Sequence, residues 1–129
     1  MPRVVHFEIP AENPERAAAF FRDAFGWRVE KWDGPMDYWM VYTGEESGDD
    51  PAEAEGGIDG GIARRGEMNP RVANTIDVPD IDAYILKVVE NGGEIIAPKS
   101  AVPGVGWLAY FRDPEGNVHG MMESDPGAT

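Results

Sequence analysis

The chain has 129 residues, 42% of them apolar, and 24 Asp and Glu against 11 Lys and Arg give a net charge of −13. Its length suits one domain with a sizeable core, and no apolar run approaches the ~20 residues of a membrane span. The acidic balance repels nucleic acid and anionic membrane surfaces, and the lack of cysteine excludes disulfides, thiolate nucleophiles and thiolate metal sites.

The segment Met1–His6 has no signal-peptide apolar region, so a cytoplasmic location is expected. Residues 3–9 alternate, with Val5, Phe7 and Ile9 on one face and Val4, His6 and Glu8 on the other, which predicts a half-buried strand. Asn13 is a good helix N-cap, Pro14 fits the first helical position and Gly26 is a natural stop. Between them Ala17, Phe20, Phe21 and Ala24 make an apolar stripe able to cover the Val5/Phe7/Ile9 face. Trp27–Trp32 and Tyr38–Thr43 read as two strands joined by the turn residues Asp33-Gly34-Pro35.

Residues 44–57 hold six acidic residues and little apolar content, and they read as a solvated loop. Gly57–Ala63 reads as a short strand whose internal glycines mark a bulge or a close approach. Val72, Asn74, Ile76 and Val78 are expected on one face of the next strand. Asp80 then caps a helix from about Ile81 to Glu90, stopped by Gly92-Gly93. Glu94–Lys99, Gly106–Arg112 and Asn117–Glu123 follow as three strands, the last two joined by the turn Asp113-Pro114-Glu115-Gly116. The tail Ser124–Thr129 is expected to fray.

The two halves say nearly the same thing. His6-Phe7-Glu8-Ile9-Pro10 falls on Thr75-Ile76-Asp77-Val78-Pro79, and Trp39-Met40-Val41-Tyr42 falls on Trp107-Leu108-Ala109-Tyr110. The chain therefore reads as one domain, residues 1–129, built from two pseudo-repeats of about 1–66 and 70–124. Each repeat is a βαβββ unit, and the fold class is α+β, with two βαβββ modules forming a curved mixed sheet around a central cleft.

Pro14-Glu15-Arg16-Ala17 leading to Phe25-Gly26-Trp27, the turn Asp113-Pro114-Glu115-Gly116-Asn117 and the repeat itself together resemble the vicinal oxygen chelate superfamily. That group holds glyoxalase I, extradiol dioxygenases, fosfomycin-resistance enzymes and bleomycin-binding proteins. The resemblance covers almost the whole chain and implies a homodimer. In metal-using members four ligands come from the first and fourth strand of each half, which carries over to His6, Gly60, Thr75 and Gly120. Of these only His6 is an ordinary ligand, and N/O sites favour at least three His or carboxylate donors. No metal or other cofactor is expected.

The glycines instead remove bulk from the floor of the expected cup. Trp39 and Trp107 are either its aromatic rim or core fillers facing the helices. His6, Glu8, Thr75 and Asp77 would supply its polar groups. The expected partner is thus a small aromatic or amphipathic molecule, bound without metal at His6, Glu8, Trp39, Gly60, Thr75, Asp77, Trp107 and Gly120, as in the antibiotic-sequestering members. The alternative is a glyoxalase-related lyase or isomerase using His6 as base, with Glu8 or an atypical divalent metal. A third reading is a partner-binding dimer without ligand. His119 is read as a satisfied histidine on the helix-facing side.

Overall fold

The computed structural model describes residues 2–44, 57–67 and 69–129. The acidic stretch read as a loop therefore lies almost wholly outside the described residues. The chain order is β1 (Arg3–Ala11), α1 (Pro14–Phe25), β2 (Arg28–Lys31), β3 (Tyr38–Tyr42), β4 (Asp59–Arg64), β5 (Ala73–Asp77), α2 (Ile81–Glu90), β6 (Glu94–Val102), β7 (Gly106–Arg112) and β8 (Val118–Ser124). This is an α+β chain of two βαβββ modules. They form two compact units, one of His6–Val72 and one of Ala73–Thr129 that also takes in the residues up to Val5. Among the described residues no helix is long and apolar enough to cross a membrane.

In the His6–Val72 unit the strands run in the order β2-β3-β4-β1, with β1 parallel to β4 and the other pairs antiparallel. The expected caps set the limits of α1. The Asn13 side chain accepts from the Arg16 N–H at 3.1 Å, and Gly26 closes the helix at φ 72° in the left-handed region that glycine tolerates. Alternation then sorts the strands by face. Phe7, Ile9 and Ala11 of β1, Val29 of β2, Trp39 and Val41 of β3 and Ile62 of β4 pack with Ala17, Ala18 and Phe21 of α1. Trp27 joins this core from the helix end, its ring stacked on Phe21 at 4.9 Å with the planes 9° apart.

The Ala73–Thr129 unit repeats this plan in the order β5-β8-β7-β6, with β5 parallel to β8. Asp80 caps α2 by accepting from the Ala83 N–H at 3.2 Å, and Glu123 of β8 accepts from the Ile81 N–H at 2.9 Å. Val78, Ile81, Ala109 and Met121 form the core, with Ile76, Ile85, Val88, Ile95, Trp107 and Phe111 packed against it. Of the face expected on β5, Ile76 and Val78 point to this core, whereas Val72 and Asn74 are exposed. β6 runs three residues beyond its expected end and is the last strand of its unit. Its ladder with β7 slips on both sides of Ala97, beside Pro98, which lacks the N–H a regular ladder needs.

The tail is docked rather than frayed. The Trp107 indole N–H donates to Asp125 Oδ2 at 2.9 Å, the Gly104 N–H donates to the Ala128 carbonyl at 3.0 Å, and Ala128 is only 2% exposed. An indole N–H in a half-buried position is best satisfied by an acceptor, and Asp125 supplies it. The hydrogen bond from Trp107, followed by that from the Gly127 N–H, holds the Asp125 carboxyl below its ordinary range.

Asp113 organises the β7–β8 turn. Its Oδ1 accepts from the N–H groups of Glu115 and Asn117, both at 2.9 Å, and its Oδ2 accepts from His119 Nε2 at 2.9 Å. His119 also stacks on Phe111 at 5.3 Å, on the helix-facing side, as expected. The bond from His119, followed by that from the Asn117 backbone, lowers the Asp113 carboxyl from 3.8 to about 2. A carboxyl depressed in the folded state stabilises the fold above its unfolded value and stops doing so as pH falls through the folded value. Thermal unfolding of the wild type and Asp113→Asn should therefore diverge most above pH 3.8 and converge as pH falls toward about 2. A stability difference independent of pH across that window would contradict this account.

Candidate functional site

The face of the His6–Val72 sheet turned away from α1 is polar. Because Phe7 and Ile9 pack on the helix side, His6 and Glu8 of β1 share the other face, two residues apart. By the same alternation Tyr38, Met40 and Tyr42 of β3 and Asp59 and Gly61 of β4 lie there too. Three of these side chains meet. His6 Nε2 lies 2.7 Å from Glu8 Oε1 and 2.9 Å from the Tyr38 hydroxyl, and that hydroxyl donates to Glu8 Oε1 at 2.8 Å. Two bare acceptors do not approach to 2.7 Å, so a proton sits on Nε2 and points at Glu8. Nδ1 takes part in neither contact. The His6 and Glu8 side chains remain 34% and 22% exposed, so the cluster is in contact with solvent.

Tyr38 reaches this cluster by crossing β4. The strand between β3 and β1 carries Gly61, which pairs with Met40 on one side and Glu8 on the other. A Cβ at Gly61 would overlap the Tyr38 hydroxyl and ring. The glycine is therefore a flat crossing point over which the phenol lies.

Around the cluster the face stays polar and tied down. Asp59, opposite His6, accepts through Oδ1 from the Thr43 N–H at 2.9 Å. The Arg28 guanidinium stacks over the Tyr42 ring with its central carbon 4.1 Å from the centroid.

Several residues expected at a ligand site lie elsewhere. Trp39 is 3% exposed and belongs to the core under α1. Trp107 packs on the core under α2 and bonds Asp125. Neither is a rim: both share the face of buried neighbours two residues on, Val41 and Ala109. Gly60 is also on the helix side, where a Cβ would run into the Phe7 ring and carbonyl. In the other unit Thr75 is buried opposite Gly120, and Asp77 is exposed opposite Met122. Tyr38 was not singled out in the sequence. Its signal was available in the alternation: it stands one residue before a core tryptophan, hence on the face of His6 and Glu8.

The register also corrects the set of positions at which a metal would be held. Thr75 pairs with Gly120, but His6 pairs with Asp59, not with Gly60. The repeat-equivalent set is thus His6, Asp59, Thr75 and Gly120. Only two of these are ordinary donors, Asp59 already accepts from Thr43, and His6 Nε2 is directed at Glu8. Among the described residues no group of three or more His, Cys, Asp or Glu could hold a metal ion. The donor set does not fit a divalent metal.

Away from this face, a shallow open recess of about 280 Å³ lies in the other unit, lined by Lys87, Val88, Asn91, Gly93, Phe111, Asp113 and Pro114. Its charged lining residues are Lys87 and Asp113, and the Asp113 carboxylate is already held by the β7–β8 turn and His119.

Comparison with known proteins agrees with this architecture. Residues 3–119 match the model of the Glyoxalase/Bleomycin resistance protein/Dioxygenase superfamily, and the chain belongs to that superfamily. A glyoxylase-like domain-containing protein of Didymella fabae is 32% identical over 122 residues, 88% of each chain. Among solved structures, a hypothetical protein from Bacillus halodurans C-125 superposes with a TM-score of 0.65 at 17% identity, over 99% of this chain and 98% of the other. A variant of Streptomyces coelicolor methylmalonyl-CoA epimerase in complex with 2-nitronate-propionyl-CoA gives 0.66 at 14% identity, over 98% and 97%. These structural likenesses establish a shared fold.

Because Gly60 faces Phe7, Gly60→Ala should overpack the core and destabilise the protein by about 1–3 kcal/mol in denaturant unfolding. Trp39→Ala should cost about 3–5 kcal/mol through the cavity it leaves. An unchanged unfolding midpoint in both variants would place these residues outside the core.

Proposed function

We propose that the chain is a metal-independent proton-transfer enzyme of the isomerase or lyase type, acting on a small carbonyl compound with an acidic C–H. One observation carries this reading: the hydrogen-bonded cluster of His6, Glu8 and Tyr38 on an accessible sheet face. Glu8 holds the Nε2 proton and so presents Nδ1 as the base, the division of labour in which a carboxylate orients an imidazole. The substrate C–H bond breaks, its proton goes to Nδ1, and its electron pair passes to the carbonyl as an enolate. Return of the proton, to the same carbon or a neighbouring atom, completes the reaction. Glu8 stabilises the imidazolium formed in between.

Methylmalonyl-CoA epimerase from Streptomyces coelicolor shares this fold, which supports proton transfer as a use of the scaffold. The net charge of −13 disfavours polyanionic substrates and favours neutral or cationic ones. A binding-only role loses the support of the aromatic walls, since Trp39 and Trp107 are packed in the two cores.

The test is solvent exchange. Incubation in D2O with a panel of small α-substituted ketones, aldehydes and esters, followed by proton NMR, should show deuterium entering the α-position of at least one class. His6→Ala should slow that exchange by about 10²–10⁴-fold, and Glu8→Gln should slow it too. Exchange that is absent throughout the panel, or indifferent to His6→Ala, would remove this function.

A further inference from the structure

We infer that Tyr38 is a positioning residue of the His6–Glu8 site, and that position 61 is glycine in order to admit it. The inference rests on the proton-transfer reading for its purpose, but its geometry stands on the contacts alone.

A carboxylate held at one oxygen by a single histidine can rotate about its side-chain bonds. Here Glu8 Oε1 is held from two directions, by His6 Nε2 at 2.7 Å and by the Tyr38 hydroxyl at 2.8 Å. The hydroxyl also lies 2.9 Å from Nε2, so the three polar atoms close a triangle. Glu8 and His6 are on β1 and Tyr38 is on β3, with β4 between them. The third corner is therefore supplied from two strands away, and the ring must pass over β4. Any side chain at 61 would block it, since a Cβ there overlaps the hydroxyl and the ring carbons.

The repeat supplies an internal comparison. By register the counterparts of Tyr38 and Gly61 in the second unit are Gly106 and Met122. The large and small residues are exchanged, and the counterparts of His6 and Glu8 are Thr75 and Asp77. The second unit has a tyrosine over a glycine at a different register position, Tyr110 over Gly120, and there the ring comes near Thr75 in place of a histidine and a carboxylate. What sets position 61 apart is that a Cβ there would overlap the Tyr38 hydroxyl itself, whereas a Cβ at Gly120 would stay 3.1 Å from the Tyr110 ring.

The experiment reads the histidine rings directly and needs no substrate. The chain has two histidines, and His119, bonded to Asp113 in the other unit, serves as the internal control. In nitrogen-edited NMR spectra the His6 Nε2 proton should be observable in the wild type. In Tyr38→Phe, which keeps the ring, its exchange with water should quicken by about tenfold, while His119 is unchanged and the protein stays folded. His6 signals that match the wild type, or His6 and His119 signals that move together, would overturn the inference. A second arm concerns position 61. Gly61→Ala should lower the unfolding midpoint in the wild type and lower it much less in a Tyr38→Ala background, where no phenol crosses β4. Equal effects in the two backgrounds would show that Gly61 does not serve Tyr38. Failure of the solvent-exchange assay with these signatures intact would remove the reaction and leave the positioning in place.

Discussion

The strict alternation of faces along β1, β3 and β4 is the constraint on which the rest depends. Phe7, Ile9, Trp39, Val41 and Ile62 must all face α1 to bury a core in so short a unit. Once they do, His6, Glu8 and Tyr38 have no choice of side. The same burial that stabilises the fold thus places an imidazole, a carboxylate and a phenol on one accessible surface. A slip of one residue in any of these strands would send the polar set inward and the apolar set out.

Much of this was legible in the sequence. Asn13, Pro14 and Gly26 mark α1 closely, Asp80 and Gly92 mark α2, and the repeat predicts two βαβββ modules. What failed is of one kind. The sequence aligns Gly60 with Gly120 because both are glycines, but hydrogen-bond register sets Asp59 in that place. An offset of one between parallel strands is invisible to a pattern of residue types, yet it moves a residue to the opposite face. Trp39 and Trp107 were ambiguous for the same reason, since aromatic size suits a rim or a core equally well. The expected fraying of the tail does not occur because of its anchor, the bond from Trp107 to Asp125, which links side chains 18 residues apart.

Tyr38 illustrates a further limit. Its face follows from alternation, but its reach does not. Whether a tyrosine spans a neighbouring strand depends on what stands on that strand, and Gly61 reads in the sequence as one glycine among several in a short strand. Only the pairing of Gly61 with Met40 and Glu8 shows that it lies under the phenol.

The two units share a plan but not a chemistry. In the second unit the equivalent face carries Thr75, Asp77, Leu108, Tyr110, Gly120 and Met122, with the Tyr110 ring over Gly120 and no imidazole. Duplication of a βαβββ module leaves two copies free to diverge wherever the core is not involved, and the face turned away from the helix is such a place. The core positions are apolar in both copies because each helix must be covered. The polar face was free to concentrate its acid and base in one copy. Under the proposed reading the site is built from one half alone, with the carboxylate beside the histidine held by the Tyr38 hydroxyl.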